Sequence, residues 1–292
     1  MRRQKPEVAL DADADLAEGP WWDESTQQLI WVDIFAGQIH YFDPSKGSDS
    51  SINVGQPVGM AAGRESGGLV CALRDGIGVI EPDGTTVSLT VEIEASRPGN
   101  RMNDGACDPA GRLWAGTMAM DLSPAAGGLY RIGPDLESKK MIDRVSISNG
   151  LDWSPDGRTF YFIDSPTGRI NAYDFDVSTG TISRPRVLAE VPHPVATPDG
   201  MAVDADGTLW VAIWDGACLH RYSPDGELLE VVQLPVSRVT SVAFGGSRLD
   251  QLFITTARHG VTEHSLAAEP LAGAILCLDP GVCGIAPHRF AG

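Results

Sequence analysis

The chain is poor in sulfur, in basic residues and in long apolar runs. Its five cysteines, Cys71, Cys107, Cys218, Cys277 and Cys283, are odd in number and form no Cys-x-x-Cys pair. That argues against a disulfide framework and against a zinc knuckle, and buried free thiols in a reducing compartment are expected. No run approaches the roughly 18 apolar residues of a membrane-spanning helix. Met1-Arg2-Arg3 leads into no apolar segment, and Asp11, Asp13 and Asp15 follow soon after, so an ordinary signal peptide is excluded and a cytoplasmic location is expected. Lys and Arg number 22 against 39 Asp and Glu, a formal charge of -17. Such a surface repels phosphate backbones and anionic membranes, which argues against nucleic-acid and membrane partners. It aids solubility and is compatible with binding a cation.

Familiar nucleophile and zinc motifs are missing too. There is no G-x-S-x-G, H-E-x-x-H or S-x-x-K, and the six histidines have no ligand spacing. His193, set between Pro192 and Pro194 near Asp199, reads as a loop histidine.

Glycine and proline, by contrast, are plentiful: 33 and 20 residues spread along the whole chain. This favours many short strands joined by tight turns. The turns recur in register. Asn103, Asn149 and Asp199 each stand eight positions before a turn glycine (Gly111, Gly157, Gly207), with a short strand between and an apolar strand after. Each unit is a β-hairpin signature. Weaker copies begin at Glu18, Gly59 and Thr240, so the six starting positions lie 41, 44, 46, 50 and 41 residues apart. Six units of this length predict an all-β fold, a six-bladed β-propeller of four-stranded blades around a central channel, with residues 1–292 as one domain. Glu7-Val8-Ala9-Leu10 is a candidate for the strand that closes the ring. Trp31, Trp114 and Trp210 recur at one blade position and read as packing between blades.

The first strand of a propeller blade lines the channel, so equivalent residues at its mouth converge on the axis. Those positions hold Glu18, Gly59, Asn103, Asn149, Asp199 and Thr240. Four carry a carboxylate or carboxamide, hard oxygen donors suited to a divalent cation. Singly, Asn149-Gly150 and Asp199-Gly200 are also ordinary turn dipeptides. Their shared register favours the axial reading, because Gly157 and Gly207 already supply the turns.

The motifs Arg101-Met102-Asn103-Asp104-Gly105, Asp108-Pro109-Ala110-Gly111-Arg112, Ala115-Gly116-Thr117-Met118, Ser148-Asn149-Gly150-Leu151 and Pro198-Asp199-Gly200-Met201 add a resemblance. Over nearly its whole length the chain resembles the SMP-30/gluconolactonase/LRE (regucalcin-like) family. The resemblance implies a six-bladed propeller with one metal ion at the top of the channel, ligated by Glu18, Asn149 and Asp199, with Arg101, Asn103 and residue 121 contacting substrate. Position 121 is often Glu in the family; here Asp121 is one methylene shorter, and a loop-capping role competes with substrate contact.

The expected chemistry is hydrolysis of a sugar lactone to the aldonic acid. A divalent ion (calcium, zinc, manganese, magnesium or ferrous iron) polarises the carbonyl, and Asp199 is the expected general base, with a metal-bound hydroxide as the competing route. Arg101 offers a rigid fork of donors to the sugar. The expected partner is a small-molecule lactone, and the expected state a monomer or weak homo-oligomer. Alternatives are a calcium-binding regulatory protein, an organophosphate or aryl-ester hydrolase on the same fold, and a propeller scaffold without chemistry.

Overall fold

The computed structural model describes residues 5–84, 87–191 and 196–292, so His193 lies outside the described residues. After β1 (Glu7–Leu10), blade one comprises β2 (Ala17–Asp23), β3 (Gln28–Asp33), β4 (Gln38–Asp43) and β5 (Ser48–Asn53). Blade two comprises β6 (Val58–Gly63), β7 (Leu69–Leu73), β8 (Gly76–Ile80) and β9 (Val87–Glu92). Blade three holds β10 (Asn100–Cys107), β11 (Leu113–Ala119), β12 (Gly127–Ile132) and β13 (Ser138–Val145). Blade four holds β14 (Ser148–Trp153), β15 (Thr159–Asp164), β16 (Arg169–Asp176) and β17 (Thr181–Glu190). Blade five is β18 (Thr197–Val203), β19 (Leu209–Trp214), β20 (Cys218–Tyr222) and β21 (Leu228–Gln233). Blade six is β22 (Val239–Gly245), β23 (Gln251–Thr256) and β24 (Ile275–Leu278), and β1 is its outermost strand. The six sheets are antiparallel and four-stranded, and all six expected starting positions fall in the first strand of a blade. The chain is thus a six-bladed propeller.

Each first strand packs against its two neighbours: β2 with β6 and β22, β10 with β6 and β14, β18 with β14 and β22. That closes the ring around an axis. The turn glycines expected after them, Gly111, Gly157 and Gly207, have φ of +73°, +65° and +82°, the left-handed region glycine favours. The glycines that follow the axial residues do a different job. Gly150 and Gly200 sit inside strands, where a Cβ would run into the Asp199 carbonyl and the Ser241 hydroxyl of the next blade. They are places of close backbone approach, not turns.

The repeated tryptophans are fully buried in the second strands of blades one, three and five. Each indole donates to an aspartate: Trp31 Nε1 to Asp49 (3.3 Å), Trp114 Nε1 to Asp108 (2.9 Å) and Trp210 Nε1 to Asp204 (3.0 Å). They pack the blades, as their spacing suggests. All five cysteines are free; Cys71, Cys107 and Cys218 are buried, and Cys283 is exposed. Among the described residues no helix is long and apolar enough to cross a membrane.

Candidate functional site

The inner strands share a device that their sequences do not announce. The pairing of each with its second strand slips at the axial position: between Glu18 and Trp21, Val58 and Met60, Met102 and Gly105, Asn149 and Leu151, Pro198 and Met201, and Val239 and Ser241. A bulge of this kind bends the strand and re-aims the side chain beside it. Six bulges at one level of the ring mark the level of the site.

Glu18, Arg101, Asn103, Asn149 and Asp199 line a single cavity of about 300 Å³. All five are buried. The remaining ring positions contribute no donor. Gly59 is held to glycine because a Cβ would collide with the Asn103 carbonyl. Thr240 is committed elsewhere, donating to the Ala17 carbonyl at 2.6 Å and sharing a 2.7 Å bond with Thr255.

A hydrogen-bonded chain fixes the neutral and cationic members. Arg101 Nη1 donates to Asn103 Oδ1 (2.6 Å) and to the Met102 carbonyl (2.9 Å). Asn103 Nδ2 donates to Asn149 Oδ1 (2.9 Å) and the Ser148 carbonyl (2.8 Å). Asn149 Nδ2 donates to Ser165 Oγ (2.8 Å), which sits in the 3₁₀ turn Ser165–Thr167. The guanidinium also lies over the Phe35 ring, 5.5 Å from its centroid.

The acids are not balanced. Burial pushes Glu18 up to about 8, and the charge of Asp104 adds to the shift. Burial likewise raises Asp199 well above the usual carboxylate range, with Glu18 and Asp104 adding to it. Burial takes Arg101 down to about 10, although Glu18 and Asp199 favour its charge. One guanidinium does not offset this cluster. Asp199 Oδ1, moreover, is buried without a hydrogen-bond partner. An unpaired buried acceptor beside a second buried carboxylate is the environment a cation relieves. Two carboxylates and a carboxamide oxygen with a spare lone pair are suitable donors for a hard divalent ion. The residues therefore fit such an ion. Among the described residues no three His, Cys, Asp or Glu side chains form a metal-binding group, and the fit depends on the asparagine.

Asp121 is not brought together with these five residues. It is exposed, outside the cavity lining, and its Oδ1 accepts the Ser123 N–H at 3.0 Å; the Ser123 hydroxyl, and then this N–H, hold the acid below its ordinary range. The shorter side chain caps its own loop, while the neighbouring Met120 and Leu122 reach the cavity wall. Ser165, Phe35 and Trp214 also line the site without having been singled out in the sequence. They lie after or at the ends of second strands, outside the register of the repeat. Asp104, next to Asn103 in the motif, lies outside this lining; burial raises it to about 7, and its charge acts on Glu18 and Asp199.

A family model described as the SMP-30/gluconolactonase/LRE-like region matches residues 16–258. Regucalcin of Xenopus laevis is 37% identical over 299 aligned residues, covering 100% of both chains. Among solved structures, a luciferin-regenerating enzyme superposes with a TM-score of 0.93 at 34% identity, over 98% of this chain and 99% of that one. A regucalcin of Agrobacterium tumefaciens, described as a calcium-binding protein, superposes with a TM-score of 0.95 at 27% identity, over 99% and 98%.

Proposed function

The chain belongs to the SMP-30/gluconolactonase/LRE-like family, and from that premise we propose that it hydrolyses a sugar lactone to the aldonic acid with one divalent metal ion at the axial site. The observation that carries this reading is the convergence of Glu18, Asn149 and Asp199 with Arg101 and Asn103 on one cavity, where Asp199 Oδ1 has no partner. Glu18, Asn149 and Asp199 would hold the ion. When bound, it supplies Lewis acidity towards the lactone carbonyl.

The protein's own groups do the rest. Asp199, ionised once the charge of the site is balanced, takes a proton from the water that attacks the carbonyl carbon. The ring C–O bond then breaks, and the same proton passes to the departing alkoxide oxygen, giving the open hydroxy acid. Arg101 keeps Nη1 on Asn103 and the Met102 carbonyl. Its Nε and Nη2 are the donors left for the developing oxyanion or a ring hydroxyl. Asn103 holds Asn149 in place through its amide hydrogen and orients the guanidinium through its oxygen.

The test is a panel of aldonolactones with chelator-stripped protein and calcium, zinc, manganese, magnesium or ferrous iron added back. Calcium comes first, since the Agrobacterium tumefaciens relative is described as calcium-binding. Turnover should return with at least one ion, and Asp199→Ala should lower it by about 10²–10⁴-fold with an unchanged circular dichroism spectrum. Near-full activity in Asp199→Ala would remove the base from the mechanism. Tight calcium binding with no turnover on any lactone would favour the second reading, a calcium-binding regulatory protein, which the same relative's description supports.

A further inference from the structure

The outer wall of this cavity differs in chemistry from its interior. The buried part of the lining holds the carboxylates, guanidinium and carboxamides beside Leu16, Ile34 and Met118, whereas the more exposed part is Phe35, Met120, Leu122, Ile147, Trp214 and His259. Three of these, Phe35 (39% exposed), Met120 (49%) and Leu122 (62%), are among the ten exposed large apolar side chains of the described residues. They come from two different blades yet meet at one opening.

Leu122 is the least expected of them. Its φ is +62°, in the left-handed region that disfavours a side chain with a Cβ, and its side chain is largely in water. Leu136 and Leu249 share the left-handed backbone, but of the three leucines Leu122 alone combines it with a largely exposed side chain on the cavity wall. The loop is nonetheless well fixed. Met120 N–H donates to the Gly99 carbonyl (2.9 Å), Leu122 N–H to the Ala119 carbonyl (3.0 Å), and Asp121 receives Ser123 N–H.

Polar groups at the mouth are few. Ser165 Oγ accepts from Asn149, and His259 Nδ1 lies 3.0 Å from Asp15. Asp121 is turned into its own loop, and Thr197 is the one further hydroxyl of the lining. A substrate hydroxymethyl group pressed against this wall would give up bonds to water for few in return, whereas a methyl group would gain apolar contact.

We propose that the site takes a lactone whose ring carries an apolar substituent, a deoxy-sugar lactone with methyl in place of hydroxymethyl, and that Leu122 and Met120 select for it. This specificity rests on the lactone-hydrolase reading, and the test separates the two. Metal-loaded enzyme is assayed on mannono-1,5-lactone and its 6-deoxy counterpart, and binding of the two corresponding unreactive lactams is measured by calorimetry on metal-free and metal-loaded protein. The 6-deoxy member of each pair should be favoured by about tenfold or more, the usual worth of one apolar group in such a pocket. Leu122→Asn, which tolerates the left-handed backbone, and Met120→Gln should bring both ratios close to one. Leu122→Gly should do so with an unchanged or higher melting temperature, an outcome a structural role for the leucine does not allow. Turnover of both lactones with equal kcat/KM and equal lactam binding would overturn the proposal and leave the hydrolase reading standing. No turnover of either lactone, with discriminating lactam binding, would do the reverse.

Discussion

Asp152, on the inner strand of blade four, shows how one side chain can set a pH response. Its carboxylate accepts Val203 N–H at 2.7 Å and Trp153 N–H at 2.8 Å, tying blade four to blade five. Burial outweighs both bonds and pushes it from the ordinary 3.8 up to about 6. The folded state therefore holds this proton more tightly than the unfolded chain does. Its contribution to stability is fully present below about pH 4 and is lost as the pH rises through about 6, with a slope of up to about 1.4 kcal/mol per pH unit. Asp152→Asn should remove that slope. One of the two N–H groups loses its acceptor, which adds a cost independent of pH, so the readout is the pH dependence of the difference between variant and wild type in urea unfolding. A difference that stays flat from about pH 4 to pH 7 would show that folding does not raise the Asp152 pKa above its unfolded value. Other residue-scale features were legible from the sequence to different degrees. Glu18, Asn103, Asn149 and Asp199 could be found because an axial position repeats and so leaves a period to read. Arg101 came from the motif. Asp121 was only half legible, because a carboxylate in a loop serves a Ser N–H as readily as a ligand, and the choice depends on local backbone geometry.

At the scale of the strand, the site depends on how closely adjacent inner strands approach. Gly59 faces the Asn103 carbonyl across the seam between β6 and β10, and no Cβ fits there. Gly59→Ala must push the two strands apart or displace Asn103, and with it the bond to Asn149. Overpacking of this kind costs about 1–3 kcal/mol and more when the obstacle is backbone. The expected result is a melting temperature lowered by several degrees together with weakened cation binding by calorimetry; unaltered values for both would mean the ring can widen at that seam. The hairpins themselves were readable, since an apolar second strand follows each left-handed turn glycine. The fourth strands were less so. β5, with the sequence Ser-Asp-Ser-Ser-Ile-Asn, is mostly exposed and pairs with the blade on one side only, so its composition follows solvent and not the core. The six bulges left no signature either, because an extra backbone residue is a matter of register between strands and requires no particular side chain.

Two closures make the blades one molecule. β1 pairs antiparallel with β24, Glu7 opposite Cys277 and Val8 opposite Leu276, so the ring is completed by the two ends of the chain together, as the Glu7–Leu10 segment suggested. The second closure was not visible in the sequence, since a tail without repeat or periodicity offers nothing to align. Residues 283–292 run across the face of the ring away from the site. They bond the Leu249 carbonyl through Gly284 N–H, receive Ala205 N–H at the Cys283 carbonyl, and reach Gly63, Glu65 and Gly111 through Phe290 and Ala291. Arg289 pairs with Asp23 and lies over Trp21. Pro287 and His288 thereby line a second cavity of about 300 Å³, together with residues farther along the inner strands, among them Asp104, Cys107, Asp152 and Met201. Phe290 is fully buried in the core cluster that also contains Cys107, and it anchors the tail. Phe290→Ala should cost about 3–5 kcal/mol, the usual penalty for emptying a buried aromatic site. It should also loosen the cover over Cys107, whose thiol is held well above its ordinary pKa by burial. In the intact chain a thiol reagent should react first at the exposed Cys283; in Phe290→Ala, mapped by mass spectrometry in a Cys283→Ser background, modification at Cys107 should appear. If Cys107 stays protected while stability falls by the expected amount, the phenylalanine fills the core beneath it and the tail does not seal the channel.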